Sequence, residues 1–409
     1  MSMNHKDQTI LRDLAKQVVE IADLPIMAER REMWKRHNRL ERVRPMILVF
    51  PEGAWRELLP ESTLECKDGN ARGIERNLRM RLYYPQHLHD DTVIEKEWIV
   101  HKVVTLTGWG LTASQVSSTV PTGAWGFDSV IKTPKDLKKL KFPEVRYDEE
   151  ATQRNFEDVG NIFGDILDVK LKGVSRISFH LMNIYTKFRG LEQVMWDMSE
   201  NPAMLHDAMA FFEEGHHRIT RQYEEMNLLS LNNDSTYHSS GGVGYTDELP
   251  QPDYDPDRIR PCDMWASAEA QEMDGVSPEM HEKFIRQYEK RLLKPFGLNG
   301  YGCCEDPTLK LDDTFQIPNI RRISIAPFAD VDACAKKLQG KYIFSWKPNP
   351  AFLVGMFDAG KVRKYIEHTL GVSQDCVIEI ILKDTHTCEH QPERFTQWTA
   401  IARELVENY

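Results

Sequence analysis

FGLNGYGCCEDP, at residues 296–307, reads as a buried strand that stops in a cluster of reactive groups. A short apolar run meets glycines, Tyr301, the adjacent Cys303 and Cys304, and Glu305, and Pro307 closes it. Glycine inside a strand marks a bend or a close backbone approach, and proline keeps the ladder from running on. VIEIILKDTHTCEHQP, at residues 377–392, has the same shape: a β-branched run ends in Asp384, His386, Cys388 and His390. Two strand ends bearing Cys and His, far apart in the chain, point to one site assembled from both.

Working outward, apolar and β-branched runs mark eight strand candidates, at 46–51, 97–106, 168–172, 228–232, 296–304, 321–327, 341–347 and 377–383. Helical pattern follows most of them. Regular strand-then-helix alternation predicts an α/β fold, a (β/α)8 TIM barrel over residues 44–409. Residues 1–43 read as an N-terminal helical extension, with Leu11, Leu14, Val18 and Ile21 at helical spacing. It would pack on the barrel or on a second subunit, the latter making a homodimer. Two long loops, 107–130 and 233–257, are rich in Gly, Ser and Thr or in Gly and Pro. Long loops after strands place function at the C-terminal face of such a barrel.

A formal net charge of −11 with no Lys/Arg run of five argues against nucleic acid or an anionic membrane as partner. No apolar window is long enough to span a bilayer, and the first residues lack a signal core, so a cytoplasmic protein is expected. Seven cysteines are an odd number for a disulfide framework; metal-bound, buried or reactive thiols are expected instead.

Thiolate and imidazole are zinc ligands, and a catalytic zinc keeps an open fourth position. Residues two apart in a strand share a face, so Asp384, His386 and Cys388 would point one way. Cys303 and Cys304 would not both do so. The expected metal set is Cys303, Cys304, His386 and Cys388. Plain burial is the competing account of each cysteine. Tyr301, His238 and Lys383 are candidates for proton transfer. Trp109, Asn233, Asp234, Lys347 and Asn349 stand at strand ends or in the long loops as substrate contacts. Turn chemistry and solvated loops are their blander explanation. Trp55, Trp125 and Trp346 are further aromatic candidates. Glu379 and Lys383 share a parity within an apolar strand and call for ion-pair partners.

PEGAWREL, SPEMHEKF, GYGCCED, RRISIAPFADV, SWKPNP and IILKDTHTCEHQPERF follow one another over residues 44–405. Together they resemble the uroporphyrinogen decarboxylase superfamily of β/α barrels, and more narrowly its corrinoid-dependent methyltransferases. Thiol-specific members carry His-x-Cys at the fifth strand end and a further Cys at the last. Here Tyr301 stands where that His would be, and His386-Thr387-Cys388 supplies His-x-Cys instead. The chain looks closer to members that demethylate methoxyaromatic compounds. The resemblance implies a methyl group passing from a small methylated substrate to the cobalt of a separate corrinoid protein, with zinc activating the leaving heteroatom. No corrinoid-binding D-x-H-x-x-G occurs in the chain, so the cobalt would come on a partner. One alternative is a metal-independent decarboxylase that holds carboxylates through Arg176, Arg189 and Lys347. Another is a barrel that binds a corrinoid or a methylated ligand without turnover.

Overall fold

The computed structural model describes residues 4–116, 126–238 and 241–409. Its main sheet has seven strands, numbered here in chain order: β1 (Met46–Val49), β2 (Ser178–Phe179), β3 (Trp265–Ala268), β4 (Leu298–Tyr301), β5 (Ile320–Ile325), β6 (Ile343–Trp346) and β7 (Val377–Leu382). All neighbours are parallel and run β1-β7-β6-β5-β4-β3-β2. The first strand lies beside the last, and the others follow in sequence. This is the strand order of a cylinder opened between β1 and β2.

Every residue of β1, β3, β4, β6 and β7 is buried. Burial on both faces is what a parallel sheet covered by helices requires. Helices Val331–Leu338, Ala359–Val372 and Glu393–Glu407 follow β5, β6 and β7. Two of them start on aspartate caps: Asp330 accepts from the Ala333 N–H at 2.9 Å and Asp358 from the Lys361 N–H at 3.0 Å. Val362, Ile366, Phe395 and Trp398 pack from this layer against Phe344, Trp346, Ile378 and Ile380. Full burial of each such side chain contributes about 1.5–3 kcal/mol.

The expectation of eight strands closed on themselves is met in part. Segment 97–106 breaks at Lys102 into Glu97–His101 and Val103–Leu106. These pair with Asp168–Lys172 and Val145–Asp148 in separate two-stranded sheets. The charges of DVKLK explain this: Asp168 and Leu171 are exposed, and three charged side chains do not fit a strand buried on both faces. Segment 228–232 contributes a single bridge, Leu229 to Val174. The short β2 and β3 enter the sheet where 97–106 and 168–172 were expected to help close it.

Side chains satisfy the backbone on the open side. Asp91 Oδ2 accepts from the Ile47 N–H and Asp90 Oδ2 from the Val49 N–H, at 2.8 and 2.9 Å. The Asn232 amide takes the Trp265 N–H and gives to the Trp265 carbonyl, both at 2.9 Å, in the manner of a neighbouring strand. Loop 241–245 fills the interior beside this gap. A Cβ on Gly241 would lie 2.0 Å from Arg322 Cδ, and one on Gly242 2.5 Å from Glu379 Oε2. Only glycine lets the backbone approach these side chains so closely.

The N-terminal helices, His5–Ala22 and Pro25–Asn38, are tied into this interior at their end. His37 Nε2 lies 3.1 Å from Glu379 Oε2, and Asn38 Oδ1 accepts from the Arg322 guanidinium at 2.7 Å. No helix among the described residues is long and apolar enough to cross a membrane.

Candidate active site at the strand ends

Five strands send side chains from their C-terminal ends into one cavity of about 320 Å³. Glu52 comes from beyond β1, Ser178 and His180 from β2, Ser267 and Glu269 from β3, Cys303 from beyond β4 and Lys383 from beyond β7. Strands β1 and β2 are the two edges of the sheet, yet both line this cavity, so the sheet curves around it. Convergence at C-terminal strand ends is where parallel α/β folds place their chemistry.

His180 and Glu269 form the central pair. The imidazole Nδ1 donates to a Glu269 carboxylate oxygen. Burial alone would pull the His180 pKa down, but the bond and charge of Glu269 outweigh it and hold it above the usual value. Gln271 N–H donates to the second carboxylate oxygen at 3.1 Å and fixes the acid. A histidine whose proton is favoured by a carboxylate in a partly desolvated cavity is suited to general-acid work. The sequence reading missed both residues. Its available signal was a charged residue directly after each short apolar run, ISF and WASA.

Cys303 and Cys304 follow β4. The strand ends at Tyr301, and Gly302 takes φ +96°, which breaks the alternation of faces. Tyr301 therefore points outward, its hydroxyl donating to Glu289 at 2.8 Å behind the sheet, while Cys303 turns into the cavity. The two sulfurs lie 3.6 Å apart. Lys383 Nζ is 4.0 Å from Cys303 Sγ and 3.1 Å from Asp384 Oδ1. Asp384 Oδ2 is 4.0 Å from Cys304 Sγ. The bond donated by Cys303 lowers the Cys304 pKa against the opposing effect of burial, and Lys383 adds to it. Burial works to lower the Lys383 pKa, yet the thiol and carboxylate neighbours raise it. Glu305 staples the rim, accepting from the Cys303 N–H at 2.8 Å and the Ala270 N–H at 3.4 Å.

His386 and Cys388 are not gathered with this group. Strand β7 stops at Leu382, and Asp384 has φ +59°, so the alternation assumed for 384, 386 and 388 does not continue. Cys388 is buried against Glu57, whose Oε2 accepts from the Cys388 N–H at 2.9 Å and its thiol at 3.2 Å. Burial, then the Glu57 carboxylate, pushes that thiol up to about 11. The exposed His386 lies over Gly53, and its carbonyl accepts from Arg56 at 3.1 Å. Among the described residues no three His, Cys, Asp or Glu side chains are arranged to hold a metal ion. The four residues expected to hold zinc are thus not gathered in one place, and no step below passes through a metal ion.

The other expected residues fall in several places. His238 lines the cavity, but its Nε2 donates to the Asn232 carbonyl at 3.0 Å and its ring stacks on Trp265. Burial, then Arg322, brings it down to about 3, which makes it a neutral wall residue. Lys347 is buried on Ser345, donating to its carbonyl and hydroxyl at 2.8 Å each. Asn349 caps the turn at Pro350–Leu353. Asn233 donates to the Leu249 carbonyl at 2.8 Å. Trp109 packs on Phe212, 4.9 Å between centroids, within the helical layer. Trp55 meets Tyr83 and Tyr84, and Trp346 meets Tyr365. Trp125 lies outside the described residues. Of the cations considered for a decarboxylase, Arg189 is locked bidentate on Asp197, and Arg176 alone lines the cavity.

A larger cavity of about 810 Å³ opens along the gap between β1 and β2 and shares Arg176. Two ion pairs sit on its walls, Lys172 with Asp234 at 2.5 Å and Glu95 with Arg31 at 2.6 Å. Asp234 belongs there. The smaller cavity, with the His180–Glu269 pair, Lys383 and the Cys303 thiol on its walls, is the better reaction site.

No known protein family is matched by the sequence, and no curated protein matches it either. Among solved structures, a methyltransferase from Methanosarcina mazei superposes over 92% of this chain and 98% of its own, with a TM-score of 0.50 and 9% identity. At that identity the likeness describes the fold.

Proposed function

We propose that this chain removes a methyl group from a small methoxylated aromatic compound and passes it to the cobalt of a corrinoid carried by another protein. The observation that carries the reading is the His180–Glu269 pair at the strand-end cavity, an acid placed where a departing oxygen needs a proton. The overall likeness to a methyltransferase and the motif order of the sequence support it. A volume of about 320 Å³ lies at the small end of ligand pockets and suits a single ring.

The reduced corrinoid supplies the electron pair that forms the new bond to the methyl carbon. As the carbon–oxygen bond breaks, its pair stays on oxygen. His180 gives that oxygen a proton, and Glu269 stabilises the imidazolium beforehand and orients the ring. Lys383 places a positive charge on the same wall, where it offsets negative charge gathering on the oxygen. Ile177, Tyr237 and the neutral His238 provide an apolar and aromatic surface for the ring.

The test is a methyl-transfer assay with a reduced corrinoid protein over methoxyaromatics, methylamines and methylthiols. Methylated corrinoid formed with the methoxyaromatics supports the reading. Ligand binding with no transfer from any donor overturns it in favour of a non-catalytic barrel. Release of carbon dioxide from an aromatic acid overturns it in favour of a decarboxylase.

A further inference from the structure

Cys303 and Cys304 adjoin in sequence, and their sulfurs touch at 3.6 Å, with Cys303 on the cavity wall. We propose that they form a peroxide-sensitive dithiol, which closes into a disulfide between neighbouring residues and shuts the strand-end site. What the bond regulates rests on the methyl-transfer reading; that it forms does not.

Three observations carry this. A regular strand would send adjacent side chains to opposite faces. Here the strand has ended, and the bend after Gly302 brings both thiols to one side. The bend is held in place: Glu305 accepts from the Cys303 N–H, and the Ser324 hydroxyl donates to the Cys303 carbonyl at 2.8 Å. Access is the second point. Cys66, Cys334, Cys376 and Cys388 are buried, whereas Cys303, Cys304 and the distant Cys262 are only half-buried, and of these Cys303 lines the cavity. Third, the Lys383 ammonium, 4.0 Å from Cys303 Sγ, favours negative charge on the pair, and thiolate is the form that peroxide oxidises.

The chemistry balances with hydrogen peroxide as oxidant. One thiolate attacks peroxide, the O–O bond breaks, and a sulfenic acid forms as hydroxide leaves. The neighbouring sulfur then attacks the sulfenic sulfur and expels its oxygen as water. Two thiols and one peroxide give one disulfide and two waters. Adjacent Cα atoms lie about 3.8 Å apart, below the roughly 4.4–6.8 Å of ordinary disulfides, so the bond is strained and easily reduced. Strained, accessible disulfides are the labile ones, which suits a reversible closure rather than a structural link. Closing the ring draws Cys303 from Lys383 and Cys304 from Asp384, and so rebuilds the wall that faces substrate.

The test treats the full-length protein with hydrogen peroxide, then counts thiols after denaturation and weighs the proteolytic peptide that holds both residues. The thiol count should fall from seven to five, the peptide should lose two hydrogens, and dithiothreitol should restore both. Cys303→Ser and Cys304→Ser should each form no internal disulfide and yield a dimedone-trapped sulfenic acid instead. Seven thiols after treatment, or a sulfinic acid in place of the disulfide, would overturn the proposal. These readouts need no methyl donor, so they stand apart from the activity. In the transfer assay the oxidised protein should be slower by about tenfold or more and recover on reduction. An unchanged rate with the disulfide in place overturns the regulatory part.

Discussion

His180 and Glu269 stand on neighbouring strand ends, with the imidazole Nδ1 bonded to the carboxylate. That bond leaves Nε2 for a substrate and, although burial opposes it, holds the ring's pKa above its usual value. Glu269→Gln removes the charge while keeping the shape, and burial then dominates. The alkaline limb of the kcat/KM profile, where the acid loses its proton, should move to lower pH. A limb that stays in place would show that His180 is not the acid.

Lys347 makes stability depend on pH in an unusual direction. Burial, opposed by Glu379, brings it down to about 7. The unfolded chain keeps its lysines protonated to about pH 10.4, so between these values unfolding takes up a proton. Stability from this group therefore rises with pH across that window, by up to about 1.4 kcal/mol per unit. Denaturant titrations of wild type and Lys347→Met at pH 7.5 and 9.5 isolate the effect. The difference between the two proteins should change with pH, and a constant difference contradicts the assignment.

Arg322 and Glu379 share the interior of the sheet, Nε to Oε1 at 2.9 Å, with the buried His37 on the same carboxylate. Burial would raise the Glu379 pKa, but Arg322 and His37 hold it well below the usual range. Its contribution is present above the unfolded carboxylate pKa and lost only as pH falls through the depressed one. Glu379→Ala leaves Arg322 buried without a counter-charge, with only the neutral Asn38 and Val243 oxygens as acceptors, and should cost about 3–5 kcal/mol. The double change Arg322→Met with Glu379→Leu should cost clearly less than the sum of the two single changes in equilibrium unfolding. Strict additivity would mean that the pair is not coupled.

Cys388 donates to Glu57; burial opposes the charge, but hydrogen bonds from the Thr387 side chain, then the His390 N–H at 3.0 Å and Cys388, bring Glu57 down to about 2. Serine keeps a donor at this position. Cys388→Ser should therefore transfer methyl groups within about twofold of wild type, as a swap that keeps the hydrogen bond should. Loss of activity together with bound zinc in that variant would restore Cys388 to the reaction centre.

Much of the sheet was legible. Strands β1, β5, β6 and β7 lie in runs dominated by apolar and β-branched residues, and their order around the sheet follows from the alternation with helices. Strand β3 was not, because Trp-Ala-Ser-Ala lacks β-branched residues, and β2 was hidden because its two residues run directly into helix Leu181–Arg189. The site was half legible for a related reason. Cys303, Lys383 and His238 stand beyond or beside recognisable strands and line the cavity, whereas His180 and Glu269 follow the two strands that were missed. Parity arguments failed where strands ended: Gly302 separates Tyr301 from Cys303, and the left-handed Asp384 separates β7 from His386 and Cys388. Spacing predicts a shared face only as far as the ladder runs.

The most direct test follows the corrinoid spectrum while wild-type protein and His180→Gln act on a methoxyaromatic donor. Wild type should convert reduced cobalt to its methylated form, and His180→Gln should do so about 10²–10⁴-fold more slowly while still binding the donor. Equal rates in the two proteins, or no conversion by wild type with any methylated donor, would contradict the assignment of this cavity to methyl transfer.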